Sequence, residues 1–286
     1  HHHSGARRRF FEKSKSMRKI IIANWKMHPD TPEAASALAI AIEKELPSPP
    51  GADVVVAPPV SFLMPVAGML KKSMLGAQDM SAEGQGALTG GVSWRELAAL
   101  NVRFVIIGHS ERRINCGETD EIVNKKIRTA LVHGPAPVLC VGERDYTDAD
   151  IPPMVSDQVR LALAGVKKES LKNLVIAYEP VWAISTATQS AGADTPERIF
   201  RARLTIEKAI ADAYDQAAAK KVRIIYGGSV SARNIAAIVG EGHMDGALVG
   251  GASLRAEEFG VIVRRAIETR SIEKRRRGAI NLRPLA

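Results

Sequence analysis

Residues 223–251 read RIIYGGSVSARNIAAIVGEGHMDGALVGG and contain one complete unit of the repeat that decides the fold. An apolar run at 223–226 leads into a segment with helical features, and a second apolar run follows at 246–249. Both runs are apolar at successive rather than alternate positions, which is typical of strands buried on both faces of a parallel sheet. The stretch therefore predicts two parallel strands joined by a helix.

The same pattern recurs through the body of the chain. The first apolar run begins at residue 20 and the last at residue 246, so the mean repeat is about 32 residues, close to one strand-plus-helix unit. Eight consecutive units without a linker predict an α/β fold whose strands close into a single-domain (β/α)8 barrel. The eight predicted strands are residues 20–22, 54–56, 74–77, 104–107, 138–141, 174–177, 223–226 and 246–249.

Helix-start signals fall between the predicted strands. Thr31 and Thr195 each offer a capping hydroxyl followed by a proline and an acid, and Ser93 with Glu96 forms a capping-box pattern. Long helices are then expected over residues 34–46 and 199–219. This alternation of strands and helices supports the barrel.

Composition and charge bound the class of protein. The 286 residues are 45% hydrophobic and 25% charged, which is ordinary for a globular domain, and no apolar run approaches the length that spans a bilayer. The formal charge of +9 comes from the two ends of the chain, because the charges of residues 20–269 sum to −2. We therefore expect a basic head with a tag remnant at 1–16, a barrel domain at 17–270 and a basic tail at 271–286. No nucleic-acid or membrane partner is expected.

The cysteine content indicates a reducing compartment. Cys116 and Cys140 are too few for a disulfide framework and lack the spacing of a zinc site. A cytoplasmic location is the expectation.

Residues just past the predicted strands are the candidate active site, because the strand ends of such barrels meet at one mouth. Gly227-Gly228-Ser229 and Gly250-Gly251 follow the last two strands, where backbone N–H groups of such barrels commonly hold a phosphate. Each glycine pair alone indicates only a tight turn, but together they favour a phosphate site. The remaining polar residues at strand ends are Asn24, Lys26, Gln78, His109, Ser110, Glu111 and Glu179.

One carboxylate, one imidazole and one lysine at a single mouth suit proton abstraction next to a carbonyl. Glu179 is the candidate base, His109 can polarise the carbonyl, and Lys26 can offset negative charge. Taken singly, Glu179 fits a salt bridge and His109 a structural hydrogen bond. The reaction needs no cofactor, and the pattern predicts no metal site.

Six segments between residues 18 and 270 carry a resemblance in sequence order: residues 23–27, 107–113, 117–120, 177–184, 226–230 and 245–254. Together they closely resemble the triosephosphate isomerase family, whose fold is the TIM barrel. The resemblance implies interconversion of dihydroxyacetone phosphate and glyceraldehyde 3-phosphate through an enediolate. This family is the standard example of a glutamate base beside a neutral histidine under a closing loop.

The resemblance assigns roles residue by residue. It implies that Glu179 is the base, His109 the electrophile, and Asn24 and Lys26 the substrate-binding pair that completes the catalytic set. Phosphate contacts are implied for Ser185, Ser229, Gly250 and Gly251, with Ser110 and Glu111 in support. The implied lid begins with Pro180, Trp182 and Ile184, and the implied homodimer contacts are Gln78, Thr89 and Arg112.

Two departures from the family pattern concern the lid and the dimer. After Ile184 the family usually has Gly-Thr-Gly, whereas this chain has Ser185-Thr186-Ala187 and a longer stretch before the next helix, so we expect altered closing. Gly91 stands where the family usually has an acid that pairs with Arg112 across the dimer. A homodimer is still expected.

Two alternatives stay open at this stage. A paralogue that isomerises a four-carbon ketose phosphate would use the same residues, and a non-catalytic scaffold or nucleic-acid binder would use the basic tails. The presence of Lys26, His109 and Glu179 together argues against the second alternative.

Overall fold

The computed structural model describes residues 17–147, 150–184 and 194–280, with side chains described as far as residue 269. Eight parallel strands pair in sequence order and close into a barrel, which confirms the predicted fold. The strands are Ile20–Asn24 (β1), Asp53–Ala57 (β2), Met74–Ala77 (β3), Phe104–Ile107 (β4), Ala136–Val141 (β5), Val175–Tyr178 (β6), Arg223–Tyr226 (β7) and Gly246–Val249 (β8).

Strand β1 closes the barrel by pairing on both sides. Ile20 lies opposite Asp53 of β2 on one side and opposite Gly246 of β8 on the other. At Gly246 the backbone has φ +150°, and a Cβ atom there would lie 1.8 Å from the carbonyl oxygen of Ile20. Only glycine fits this closing position.

Helices alternate with the strands, and all three predicted caps are present. The side chains of Thr31, Ser93 and Thr195 each accept a hydrogen bond from a backbone N–H of the helix that follows. The helices are Pro32–Glu45 (α1), Leu63–Ala67 (α2), Trp94–Ala99 (α3), Ser110–Asn115 (α4), Asp120–His133 (α5), Pro153–Ala162 (α6), Pro196–Ala213 (α7), Gln216–Ala219 (α8), Ile235–Gly240 (α9) and Ala256–Ile280 (α10).

The single helix expected over residues 199–219 is wrong, because the chain breaks at Tyr214. Asp215 then caps α8 by accepting a hydrogen bond from the N–H of Ala218 at 2.7 Å. The Tyr214 hydroxyl lies within hydrogen-bond distance of the carbonyl oxygens of Leu163 and Val166. These contacts come from a distant part of the chain, so the local helix-forming pattern did not show them.

Two apolar layers hold the barrel together. The inner layer is made by alternate residues of the strands, such as Ile20 and Ile22, and fills the barrel interior. The outer layer, which includes Ile21 and Ala23, packs between the strands and the helices. Asn24 and Glu179 continue the inward phase of β1 and β6, so the fold turns both toward the mouth.

Helix α10 crosses the boundary expected at residue 270 without a break in its backbone. The division into head, barrel and tail therefore stays a prediction, and residues 1–16 lie outside the described part. None of the described helices combines the length and apolar character needed to cross a membrane.

We predict that Gly246→Ala strongly destabilises the protein. The added Cβ collides with the Ile20 carbonyl at the seam of the barrel, so the free energy of unfolding should fall by about 4 kcal/mol or more. Urea unfolding provides the measurement. Gly68→Ala is the matched control: its φ is −68° and the nearest atom to a new Cβ lies at 3.8 Å, so a change of less than about 1 kcal/mol is expected. Equal unfolding midpoints for the two variants would contradict the prediction.

Candidate active site

The structure brings the candidate residues from five strand ends to one pocket of about 270 Å³. Asn24, Lys26, His109 and Glu179 form one part of its wall. Gly228, Ser229, Gly250 and Gly251 form another, and Ile184 also reaches the pocket. The sequence predicted this convergence, and a volume this small suits a ligand of only a few carbon atoms.

Glu179 is 2% exposed and lies against His109. Its Oε1 is 2.9 Å from His109 Nε2, and its Oε2 accepts a hydrogen bond from the N–H of Ser110 at 3.2 Å. Burial acts to raise the pKa of Glu179, but His109 and the Ser110 N–H outweigh burial, so this pKa is lowered. The carboxylate is therefore ionised and ready to accept a proton.

His109 caps helix α4 with its other ring nitrogen. Nδ1 accepts a hydrogen bond from the N–H of Glu111 at 3.2 Å, so the neutral ring carries its proton on Nε2, toward Glu179. Burial acts to lower the pKa of His109, and the Glu179 carboxylate outweighs it, so this pKa is raised. The raised pKa depends on a contact that a ligand placed between the two side chains would remove.

Lys26 has a backbone conformation that residues other than glycine seldom adopt. Its φ is +54°, and its backbone is held at both ends, because its N–H donates to Asn24 Oδ1 at 3.1 Å and its carbonyl accepts from Gln78 Nε2 at 2.8 Å. Such strain costs about 1–3 kcal/mol and persists only where the surroundings fix it. The lysine Nζ is paired with Glu111 Oε1 at 2.5 Å.

The residues around the glycines expected to bind phosphate are already partly engaged in hydrogen bonds within the chain. The N–H of Ser229 donates to the carbonyl of Ala183 at 3.1 Å, so this bond must break before Ser229 can use that N–H for a ligand. A short turn, Gly251–Leu254, begins directly at the glycine pair. Ser185 lies outside the described residues.

The first residues of the expected lid are anchored to the barrel. Pro180 precedes a short turn at Val181–Ala183, and Trp182 within it is 7% exposed. The indole Nε1 of Trp182 donates to Glu143 Oε1 at 3.1 Å. Residues 185–193 of the lid lie outside the described part, so its motion stays a prediction.

The expected dimer residues make their described contacts within the chain. Arg112 pairs with Glu118 at 2.6 Å and with Asp79 at 2.9 Å, so two carboxylates of its own subunit neutralise it. Gln78 is engaged with Lys26, as described above, and with the carbonyl of Ala57. Thr89 is exposed.

The comparisons with known proteins agree with this geometry. The sequence model of the family described as triosephosphate isomerase matches residues 19–266. A protein of Symbiobacterium thermophilum named triosephosphate isomerase is 43% identical over 256 residues, which cover 88% of this chain and 98% of that relative. The chain belongs to the triosephosphate isomerase family.

Two further members of this family bearing the same name support the assignment. The protein of Thermoanaerobacter pseudethanolicus is 45% identical over 252 residues, covering 86% of this chain and 98% of that relative. The protein of Carboxydothermus hydrogenoformans is 44% identical over 260 residues, covering 88% of this chain and all of that relative. The match spans nearly the whole length of each relative.

Sequence reasoning missed a buried polar cluster beside the pocket. Glu143 is completely buried, and its Oε1 accepts hydrogen bonds from Tyr178, Trp182 and Arg198. Glu143 comes directly after β5, so the rule that residues past a strand end carry function would have found it. Arg198 gave no such signal, because it lies on the inner face of α7.

Asp194 adds a second carboxylate to this cluster. Both of its oxygens are buried, and the carboxylate lies beside the N–H of Thr195 and the hydroxyl of Tyr226. Burial raises the pKa of Asp194 to about 6, although the Arg198 guanidinium opposes the rise. Because the folded state then holds this proton more tightly than the unfolded state, Asp194 weakens the fold increasingly as the pH rises from about 4 to above 6.

We predict that Asp194→Asn stabilises the protein at pH 7.5 and not at pH 4. Removing a carboxylate that is costly to ionise should raise the free energy of unfolding by about 1–3 kcal/mol at the higher pH. Chemical unfolding at the two pH values measures the difference. Asp157→Asn, at an exposed ion pair with Arg160, serves as the control, with no more than a few tenths of a kcal/mol expected. A stabilisation that is the same at both pH values would refute the assignment to ionisation.

Proposed function

We propose that the protein is a triosephosphate isomerase that interconverts dihydroxyacetone phosphate and D-glyceraldehyde 3-phosphate through an enediolate. The observation that carries the proposal is the buried pair of Glu179 and His109, 2.9 Å apart, in a pocket that also presents the glycine-rich loops after β7 and β8. One part of the pocket offers an acid–base pair, and the other offers backbone N–H groups for a phosphate. The names of the relatives point to the same reaction.

Proton transfer is assigned to Glu179. In the resting site its lowered pKa keeps it ionised, so it meets the substrate as a carboxylate. Separation from His109 then raises this pKa, which strengthens the base that takes the proton from the carbon next to the carbonyl and returns it to the neighbouring carbon. Oε1 lies 2.9 Å from His109 Nε2, so a substrate that separates the pair frees this oxygen for the proton.

Stabilisation of the negative charge on the enediolate oxygens is assigned to His109 and Lys26. A substrate between Glu179 and His109 separates the pair, so the cause of the raised pKa of His109 is removed and the ring stays neutral. In that state Nε2 donates to a substrate oxygen while the N–H of Glu111 holds Nδ1. Lys26 supplies the positive charge after it exchanges Glu111 for the substrate.

The substrate is assigned as a three-carbon phosphate, bound without a cofactor or metal. The relatives do not favour the four-carbon alternative, because each of those compared carries the name triosephosphate isomerase. Turnover of tag-free protein on glyceraldehyde 3-phosphate, compared with a four-carbon aldose phosphate, tests the choice. Absence of turnover on the three-carbon substrate would refute the proposed function.

A cytoplasmic, glycolytic setting completes the proposal. Support comes from the free thiols of Cys116 and Cys140, neither of which is in a disulfide.

We predict that Glu179→Gln lowers kcat by at least about 10²-fold, because it keeps the shape of the side chain and removes the proton acceptor. Phosphate binding through Ser229, Gly250 and Gly251 should persist and is measured by calorimetry with inorganic phosphate. Glu43→Gln is the matched control: Glu43 is also buried, at 7% exposure, but its carboxylate binds Lys72 and Ser73. A Glu179→Gln enzyme within threefold of the parent kcat would show that another group takes the proton.

The functional unit is assigned as a homodimer. Exposed apolar side chains support this, since Met27 is 87% exposed and Met64 72%. A concavity beside them is lined by Val60, Gln78 and Leu88 and is of the kind that a partner's loop fills. Because Arg112 is already neutralised within its own chain, the interface does not depend on the acid missing at Gly91.

We predict that Met64→Asp shifts the protein from dimer to monomer at micromolar concentration, because it places a charge in an apolar interface. Sedimentation velocity measures the change. Val132→Asp is the control, because Val132 is 70% exposed but lies in the last turn of α5, which leads to the start of β5 at the end of the barrel opposite the concavity. This variant should remain dimeric. A parent protein that sediments only as a fully active monomer would contradict the assignment.

A further inference from the structure

The backbone of Glu179 rests on the end of strand β5. The carbonyls of Val141 and Glu143 accept hydrogen bonds from the N–H groups of Glu179 at 2.7 Å and Val181 at 2.9 Å. Gly142 lies between these two contacts, and a Cβ atom there would lie 1.9 Å from the carbonyl oxygen of Glu179. Residues 141–143 therefore fix the position of the Glu179 backbone, from which the carboxylate side chain extends.

Strand β4, which pairs with the other edge of β5, ends before it reaches Gly142. Strand β4 ends at Ile107, and the chain turns at Gly108, with φ +72°, into helix α4. Successive residues of a strand direct their N–H and C=O groups to opposite sides. Since Val141 and Glu143 face β6, the N–H and C=O of Gly142 face the gap that β4 leaves, where they need other partners.

Gln158 of helix α6 occupies this gap. The N–H of Gly142 donates to Gln158 Oε1 at 2.8 Å, and Gln158 Nε2 donates to the carbonyl of Gly142 at 3.3 Å. The side chain is only 8% exposed. One carboxamide thus reproduces the donor and acceptor of a neighbouring strand.

We propose that Gln158 is a positioning residue for Glu179, because its carboxamide fixes the edge of β5 on which the backbone of the base rests. The inference builds on the proposed function, in which Glu179 is the base. A cavity of about 200 Å³ adjoins the contact and is lined by Gly108, Cys140, Gly142, Gln158 and Glu179. We call the two hydrogen bonds between Gln158 and Gly142 the clamp. The free volume gives the end of β5 room to shift once the clamp is removed.

The expected effect falls on kcat and spares KM. The described groups assigned to substrate binding lie at the ends of β1, β7 and β8, none of which pairs with β5; they are Asn24, Lys26, Ser229, Gly250 and Gly251. Misplacing a reacting group by about 1 Å can cost about 10²-fold in rate. A structural defect alone would lower the stability without separating kcat from KM.

The test replaces Gln158 by methionine, which has a similar length and makes neither hydrogen bond. We expect kcat to fall by about 10- to 100-fold while KM stays within about threefold. Asn124→Leu is the matched control, because Asn124 is also a carboxamide bound to backbone: it donates to the carbonyls of Ala162 at 2.8 Å and Ala164 at 2.9 Å. The variant therefore disturbs the end of α6, the helix that carries Gln158, without removing either contact to Gly142. It should lose stability in a similar way and keep its kcat.

Gln158→Glu provides a second, pH-dependent readout. A protonated carboxyl offers the same donor and acceptor as the amide, whereas the ionised form loses the donor and repels the carbonyl of Gly142. The kcat of this variant relative to the parent at the same pH should therefore fall as the pH rises. If Gln158→Met fails to fold, the pH dependence of the kcat ratio between Gln158→Glu and the parent becomes the test of the proposal. A ratio independent of pH overturns it.

The remaining outcomes separate this inference from the proposed function. A folded Gln158→Met enzyme with kcat within threefold of the parent overturns the positioning role. If the parent itself has no isomerase turnover, the proposed function fails, and a crystal structure of Gln158→Met decides the clamp. An unchanged distance of 2.9 Å between Glu179 Oε1 and His109 Nε2 would then count against it, and a displaced carboxylate would support it.

Discussion

The closure of the sheet between β8 and β1 is the constraint on which the rest of the structure depends. Ile20 and Gly246 are far apart in sequence, yet their pairing turns eight parallel strands into a ring and directs every carboxyl end to the same mouth. An open sheet would leave the groups on β1 and β8 at opposite edges. Closure is possible only because Gly246 leaves space for the carbonyl of Ile20.

In the candidate active site that closure creates, burial and nearby charge have opposite effects on the protonation of Glu179. Burying Glu179 favours its neutral form, and the structure overcomes this with the imidazole of His109, the N–H of Ser110 and the charge of Lys26. The same contact raises the pKa of His109. The two side chains therefore stabilise each other's charge in the resting arrangement, and a ligand that separates them removes both effects: the pKa of Glu179 rises and that of His109 falls.

Side chains complete the scaffold where the strands diverge. Beyond β4, Gln158 takes over the pairing of Gly142. On the outer side of the barrel Glu143 joins Tyr178, Trp182 and Arg198, and so ties the first residues of the expected lid to helix α7. Both sets of contacts lie beside Glu179 and involve residues outside those expected to contact the substrate.

Sequence alone determined the repeating architecture and most of the site. Eight apolar runs, the caps at Thr31, Ser93 and Thr195, and the polar residues at strand ends are local patterns, and local patterns are what periodicity and capping reveal. Only the tertiary structure decided the break at Tyr214, the binding of Gln78 to Lys26, the neutralisation of Arg112 by Asp79, and the clamp of Gln158 on Gly142. Each of these is a polar group that finds its partner across a distance in sequence, because burial requires a partner and the fold alone determines which one lies within reach.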